Sequence, residues 1–276
     1  MPPVSRLRRG MGLAELLVAL ALSALLSAAG AAALLGIERY VRRTSSDDDA
    51  RRVAREAEAV LGSDLRAAAP DSVIVRGDTA VDLLSGVALS VVCVASADAL
   101  ILPSSAASSG FPLTVQRSTP AAGDALAWYD AAAGWRMTRI DSVQSRWDGA
   151  GCSTAGGFRS AADSAARLPV LRVRVADATG AEVGGPVRIF RRGRYALVRG
   201  GDGTWGLAWR RCDAPAPCGS SQPVAGPLAA PAAGGLHFQV AADGATITVQ
   251  VVAAGVSGPV ATRRFSIALR GGDSRE

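Results

Sequence analysis

The sequence predicts an α+β fold in which one long N-terminal helix precedes an antiparallel, strand-rich domain. Three observations predict it: Met11 to Ile37 is apolar throughout except for Glu15, no proline occurs from Met11 until Pro70, and beyond Pro70 the chain breaks into short β-like runs separated by turn residues. A helix over Met11 to Ile37 reaches about 40 Å at about 1.5 Å per residue, enough to cross a hydrocarbon core of roughly 30 Å. The expected organisation is a leader over 1–10, a membrane-spanning helix over 11–37, its amphipathic continuation over 38–69, a β-rich domain over 70–270 and a polar tail over 271–276.

The leader carries Arg6, Arg8 and Arg9 and ends at Gly10, which agrees with the positive-inside tendency, although Arg39, Arg42 and Arg43 on the far side oppose it. Glu15 is the unusual residue. A carboxylate in lipid costs on the order of 2.5–3.5 kcal/mol even on the lenient insertion scale, so such a residue calls for a partner. Two plainer readings of the stretch compete. A secretory signal peptide has an apolar core of about 7–15 residues followed by a small-residue cleavage site, for which Ser27-Ala28-Ala29 is a candidate, yet the apolar run continues to Ile37. A simple single-pass anchor would need Glu15 to snorkel to the interface.

Arg8-Arg9-Gly10 followed by Met11-Gly12-Leu13-Ala14-Glu15-Leu16-Leu17-Val18-Ala19-Leu20 resembles the class III signal of type IV prepilins and type II secretion pseudopilins. The resemblance implies a membrane-embedded prepilin peptidase that cuts between Gly10 and Met11, then N-methylates Met11, leaving Glu15 as the fifth mature residue. Met11 stands where that family usually has phenylalanine. It also implies partners: other pilins or pseudopilins, an inner-membrane assembly platform, and membrane lipid before assembly. The implied location is the bacterial inner membrane with the C-terminal domain in the periplasm, and then the pilus or pseudopilus. In a stacked filament the new α-amino group of one subunit meets the glutamate of its neighbour, so two charges that are costly alone become a pair in low dielectric.

The outer half of the helix places Val53, Ala57, Val60, Leu61, Leu65 and Ala68 at three- and four-residue spacing, with Arg51, Arg52, Arg55, Glu56 and Glu58 on the other face. That pattern suits a helix lying against a sheet. Between the halves, Thr44-Ser45-Ser46-Asp47-Asp48-Asp49 reads as a break and restart with serine or aspartate as N-cap. The three aspartates lack the further oxygen ligands that calcium needs and read as a solvated helix start.

Strands are expected at Val73 to Val75, Val87 to Val94, Ala99 to Leu102, Val170 to Val175, Val187 to Phe190, Tyr195 to Val198, Trp205 to Trp209, His237 to Val240, Thr246 to Val252 and Arg263 to Leu269. Leu126 to Tyr129 and Trp135 to Ile140 read as a hairpin through Asp130 to Gly134, and Asp202-Gly203 and Asp243-Gly244 are further turn signals. Alternation in Leu171-Arg172-Val173-Arg174-Val175 predicts a strand with one wet face. Pro103 to Pro112, Gly149 to Asp163 and Pro215 to Gly235 read as loops, either variable surface or the exposed face of a filament tip.

Four cysteines, Cys93, Cys152, Cys212 and Cys218, allow three pairings. Cys212 and Cys218 bracket a short, turn-rich loop that a local bridge would close, leaving Cys93 with Cys152. No C-x-x-C pair exists and the one histidine, His237, falls in an expected strand, so the sequence offers no zinc site and no cofactor site. Nor is there a catalytic constellation: His237 has no nucleophile-elbow motif beside it, and Gly200-Gly201-Asp202-Gly203 lacks the lysine of a phosphate loop. The reading is of a chain that is not an enzyme.

The chain carries a formal net charge of +6, and all its basic residues are arginine. Those arginines are dispersed without a dense run, so a solvated surface is the first reading and a nucleic-acid face the second. Trp128, Trp135, Trp147, Trp205 and Trp209 would stack on bases or sugars only if aligned on a wet face; such residues more often fill a sheet's core.

In the C-terminal half, the order of Val187-Arg188-Ile189-Phe190, Tyr195 to Val198, Trp209 to Cys212, Pro223 to Pro227, Leu236 to Val240 and Thr262 to Arg270 is similar to the larger minor pilins of the W type and to pseudopilin J. With the length of the chain, this favours a minor, initiating or tip subunit over a major one. The alternatives are a J-type type II secretion pseudopilin and, from another class, a membrane-anchored periplasmic binding module.

Overall fold

The computed structural model describes residues 12–103, 114–147, 170–212, 218–242, 244–255 and 258–269. One helix, α1 (Leu13–Ala67), precedes fourteen antiparallel strands among the described residues, so the α+β class holds. The chain divides into two compact units, Met1–Asp49 and Ala50–Glu276.

In the first unit, Leu16 to Ile37 of α1 carries no charged residue on any face, and its large side chains from Leu13 to Val41 are all exposed. It is the one described helix long and apolar enough to cross a membrane. The expected break at Thr44 to Asp49 does not form. Thr44 Oγ1 donates to the Tyr40 carbonyl at 3.1 Å and Ser45 Oγ to the Arg42 carbonyl at 3.1 Å. Hydroxyls that bond back into the preceding turn do not cap a new helix. Glu38 and Arg42 add an ion pair four residues apart.

In the second unit the rest of α1 lays one stripe on the sheet: Ala50, Val53, Ala54, Ala57, Leu61 and Leu65 are all buried, as is Ala68 just past its end. They meet residues of β2 (Ala80–Val91), β9 (Pro186–Arg199), β10 (Trp205–Arg211), β12 (Leu236–Val240), β13 (Thr246–Gly255) and β14 (Gly258–Ala268) in one core. A second core gathers Val87, Leu100, Leu102, Leu126, Trp128, Ile140, Val173, Val187 and Ile189. These come from β2, β4 (Ala99–Leu102), β6 (Ala125–Asp130), β7 (Gly134–Trp147), β8 (Val170–Val175) and β9.

β9 joins the two cores. β2 runs along one of its edges from Pro186 to Ala196; on the other edge Val187 to Phe190 pair with β6 and Gly193 to Arg199 with β10. The sequence suggested two strands here because Arg191-Arg192-Gly193-Arg194 looks like a break. The arginines are instead compensated. Arg191 donates to the fully buried Asp124 through Nε at 2.9 Å and Nη2 at 2.7 Å, and Arg211 Nη2 lies 3.4 Å from the same carboxylate. Arg194 holds Asp82, its cross-strand neighbour. Gly193 is required because a Cβ there would overlap the indole of Trp209.

Other boundaries shift for similar reasons. β2 begins at Ala80, because Asp82 and Ser85 are bonded to β9 and so do not interrupt it. It ends at Val91, with β3 (Val94–Ser96) separate. Pro215 to Gly235, read as a loop, contains β11 (Gln222–Leu228) and a 3₁₀ turn, Pro231–Ala233. Prolines conceal this strand; they are tolerated because its ladder to β10 is bulged and only Leu228 pairs with β13. The final strand also starts earlier, at Gly258. β1 (Ile74–Arg76) and β5 (Val115–Gln116) edge β2. The hairpin from β6 to β7 turns where expected, Asp130 opposite Gly134, and the turn from β9 to β10 closes over Asp202 and Gly203. The expected loops Pro103 to Pro112 and Gly149 to Asp163, and residue Asp243, lie outside the described residues except for Pro103.

Truncating Leu61 to alanine is expected to cost about 2–5 kcal/mol, and Asp124→Ala about 3–5 kcal/mol by stranding buried guanidinium charge. Chemical denaturation of the full chain in detergent, followed by tryptophan fluorescence, measures both.

Candidate assembly and processing site

Gly10 and Met11, the expected processing pair, lie outside the described residues. The site begins at Gly12. The amides of Glu15 and Leu16 donate to the Gly12 carbonyl at 3.0 and 3.2 Å, which makes Gly12 the N-cap of α1. Glu15 occupies the third helical position, and its Oε2 accepts the Gly12 amide at 3.3 Å. This is the side-chain arm of a capping box, and it sets a carboxylate at the positive end of the helix dipole. Glu15 is exposed, as are Leu13, Leu16, Leu17, Val18 and Leu20 around it. Its carboxylate therefore has coordination capacity left for a donor from outside this chain.

Cys212 and Cys218 form a disulfide with Cα atoms 4.0 Å apart. It closes the chain between β10 and β11. Cys93 is fully buried and also disulfide-bonded; Cys152 lies outside the described residues. Asp47, Asp48 and Asp49 sit on consecutive positions of α1, turned about 100° apart, and do not converge. Among the described residues no cluster of three or more His, Cys, Asp or Glu is arranged to hold a metal. His237 stands on β12 opposite Gln250, its Nδ1 3.9 Å from the Asp78 carboxylate. The glycine-rich Gly200 to Gly203 stretch is a turn, with Asp202 accepting from the Thr204 amide and hydroxyl. A groove of ≈ 820 Å³ runs along β10 and β11, with Glu56, Arg199 and Asp202 at its rim.

The tryptophans separate. Trp205 and Trp209 pack on the helix core, Trp128 fills the second core, and Trp135 is exposed. The side chain of Trp147 is outside what is described.

Sequence reading missed the polar clamps that tie α1 to the sheet. Tyr195 Oη donates to Asp64 Oδ2 at 2.6 Å, while Arg117 Nη2 reaches Asp64 Oδ1 at 2.9 Å and Ser63 Oγ at 3.1 Å. Burial, and the adjacent Asp64 carboxylate, push the Tyr195 phenol well above its ordinary value, so it stays a donor. Arg263 Nε meets Glu58 at 3.5 Å from β14. Their partners lie far apart in the chain, so no local motif announces them.

No family model, curated protein or solved structure matches the chain. Its function is therefore argued from the residues themselves.

Asp82 offers a pH test. The Arg194 hydrogen bond, joined by Arg76, holds its carboxyl below the usual 3.8 against the opposing effect of burial. A depressed folded value contributes stability that is present above the unfolded pKa and lost as pH falls through the folded one. Wild type should lose stability as pH drops below about 4, and Asp82→Asn should show a shallower loss over the same window. Urea midpoints measured across pH 2 to about 7 check this; an unchanged slope in the variant refutes it.

Proposed function

We propose that the chain is a minor pilin-like structural subunit of a type IV pilus, processed by prepilin peptidase between Gly10 and Met11, and assembled through its N-terminal helix in filament initiation or at the tip. The observation that carries this reading is Glu15. It is the one ionisable residue in an apolar run, it lies at the start of a helix whose large side chains from Leu13 to Val41 are all exposed, and it follows a basic leader ending in glycine.

The physical sequence of events follows from those features. Before assembly, lipid covers the apolar faces of α1. Cleavage after Gly10 creates an α-amino group at Met11, and N-methylation leaves it cationic. In a filament the helices replace lipid as each other's solvent. Small residues favour that close approach, and Gly30 and Gly36 leave open space where a Cβ would stand. The amine of one subunit and Glu15 of its neighbour then neutralise one another out of water, and loss of either strands the other. Chemistry is thus performed on this chain and not by it.

Intact mass and N-terminal sequencing of the protein from native membranes test the reading, comparing wild type with Gly10→Ala and Glu15→Ala. The expected outcome is a mature chain starting at N-methylated Met11, cleavage lost in the glycine variant, and assembly lost with cleavage retained in the glutamate variant. An uncut wild-type chain, or one cut after Ala29, returns the protein to an anchored or secreted binding domain.

A further inference from the structure

Among the described strands, β14 leaves a long edge uncovered. It pairs with β13 and with no other described strand. The other strands with a single partner, β1, β3, β5 and β12, are two to five residues long, and shortness is one way proteins blunt an edge; β14 runs for eleven. The phase of the ladder says which backbone groups this edge presents. Leu269 donates its amide to the Ala245 carbonyl at 2.7 Å, so Leu269, Ile267, Phe265, Arg263 and Ala261 face β13 with their amides and carbonyls. The alternate residues Thr262, Arg264, Ser266 and Ala268 turn theirs outward, and among the described residues no backbone group takes them up. The side chains of those four are exposed, whereas Ala261, Phe265 and Ile267 pack on the helix core.

A slot accompanies the edge. A groove of ≈ 330 Å³ opens between α1 and β14, lined by Arg51, Ala54, Arg55 and the stretch from Val260 to Arg263. Part of its positive charge is balanced within the chain: Arg263 meets Glu58 at 3.5 Å, and Arg51 has a partner. Arg55 makes no ion pair among the described residues. On the other face of β14, Arg264 Nη2 donates to the side-chain carbonyl of Gln250 at 2.6 Å, a neutral acceptor that leaves the guanidinium charge uncancelled.

A row of outward amides and carbonyls is a template for one more strand, and residues directly opposite one another in a ladder share a face. The added residue opposite Arg263 would therefore look toward α1 and Arg55, and the one opposite Arg264 toward solvent. Self-pairing of β14 meets a penalty, because it sets the Arg263-Arg264 pairs of two copies in one short ladder, and like charges so close are destabilising. We propose that β14 binds an extended segment of a different protein by strand addition, the segment carrying acidic side chains opposite Arg263 and Arg264 and apolar ones opposite Phe265 and Ile267. Main-chain bonds supply the affinity, and the acidic pair selects the partner.

The probe is a fluorescent synthetic peptide of about ten residues, valine and threonine alternating around a central pair of glutamates, titrated against the full chain in detergent micelles and read by anisotropy. One control peptide has lysines for the glutamates; another is N-methylated at alternate amides. The glutamate peptide should bind saturably, and either control should bind weaker by about tenfold. In hydrogen exchange, the amides of Thr262, Arg264, Ser266 and Ala268 should exchange fast in the chain alone and slow with the peptide bound, while those of Arg263, Phe265 and Ile267 stay protected throughout. Thr262→Pro removes an outward donor without touching the ladder to β13 and should weaken binding about tenfold. Arg55→Glu should abolish the preference for glutamate over lysine. Unchanged urea midpoints establish that both variants are folded. The proposal is overturned if the outward amides are protected in the chain alone, since the edge is then already covered. It is also overturned if the glutamate peptide does not bind, or if all the peptides bind alike with no effect of Thr262→Pro. Self-association that Thr262→Pro abolishes overturns it too, marking a second copy on the edge. None of these readouts involves the N-terminus, so each is separable from the mass measurement that decides the filament reading.

Discussion

The fold rests on one contact, the burial of a narrow stripe of α1 against the sheet. Ala50, Ala54 and Ala57 are small, so the helix backbone approaches the strands closely; Val53, Leu61 and Leu65 then fill what space remains. Burial of apolar side chains supplies the dominant, non-directional drive. Direction comes from the polar clamps, Tyr195 and Arg117 on Asp64 and Arg263 on Glu58, which hold helix rotation and register where greasy contact alone would permit sliding.

A second constraint governs the sheet. Two cores share β2 and β9, and the seam between them is charged, with Arg191 and Arg211 converging on Asp124. A buried carboxylate between two guanidinium groups is tolerable only when its lone pairs are filled, and here the Ala121 amide donates as well at 2.9 Å. Such a seam contributes specificity of geometry more than net stability. It fixes the point at which β9 passes its pairing edge from β6 to β10.

The first unit obeys the opposite rule. Its helix buries none of its large apolar side chains, and a contiguous apolar surface of that kind marks a membrane or protein contact. Glu15 acquires meaning in that setting, since its capping bond to Gly12 satisfies one lone pair and leaves the carboxylate directed at the helix's own N-terminal surroundings.

Much of this was legible in the sequence because it is local. The long apolar run, the amphipathic stripe from Val53 to Ala68, the Asp130 to Gly134 hairpin and the bridge between Cys212 and Cys218 each follow from neighbours within a few turns or one loop. What the sequence misread shares the opposite character. Thr44 to Asp49 looked like a restart because serine and aspartate favour caps, but a cap forms only where the preceding turn ends, and here it does not. Arg191 to Arg194 looked like a strand break, and Pro223 and Pro227 like a loop. The charges are absorbed by Asp124 and Asp82, remote in sequence, and the prolines by a bulged ladder. The sequence by itself determined which segments are helix, strand and apolar span, since hydrophobic period and turn chemistry act over a few residues. Only the tertiary structure decided which arginines are neutralised, which tryptophan faces water and where one core hands over to the next, because ion pairing and burial depend on distances in space that the spacing of residues along the chain does not encode.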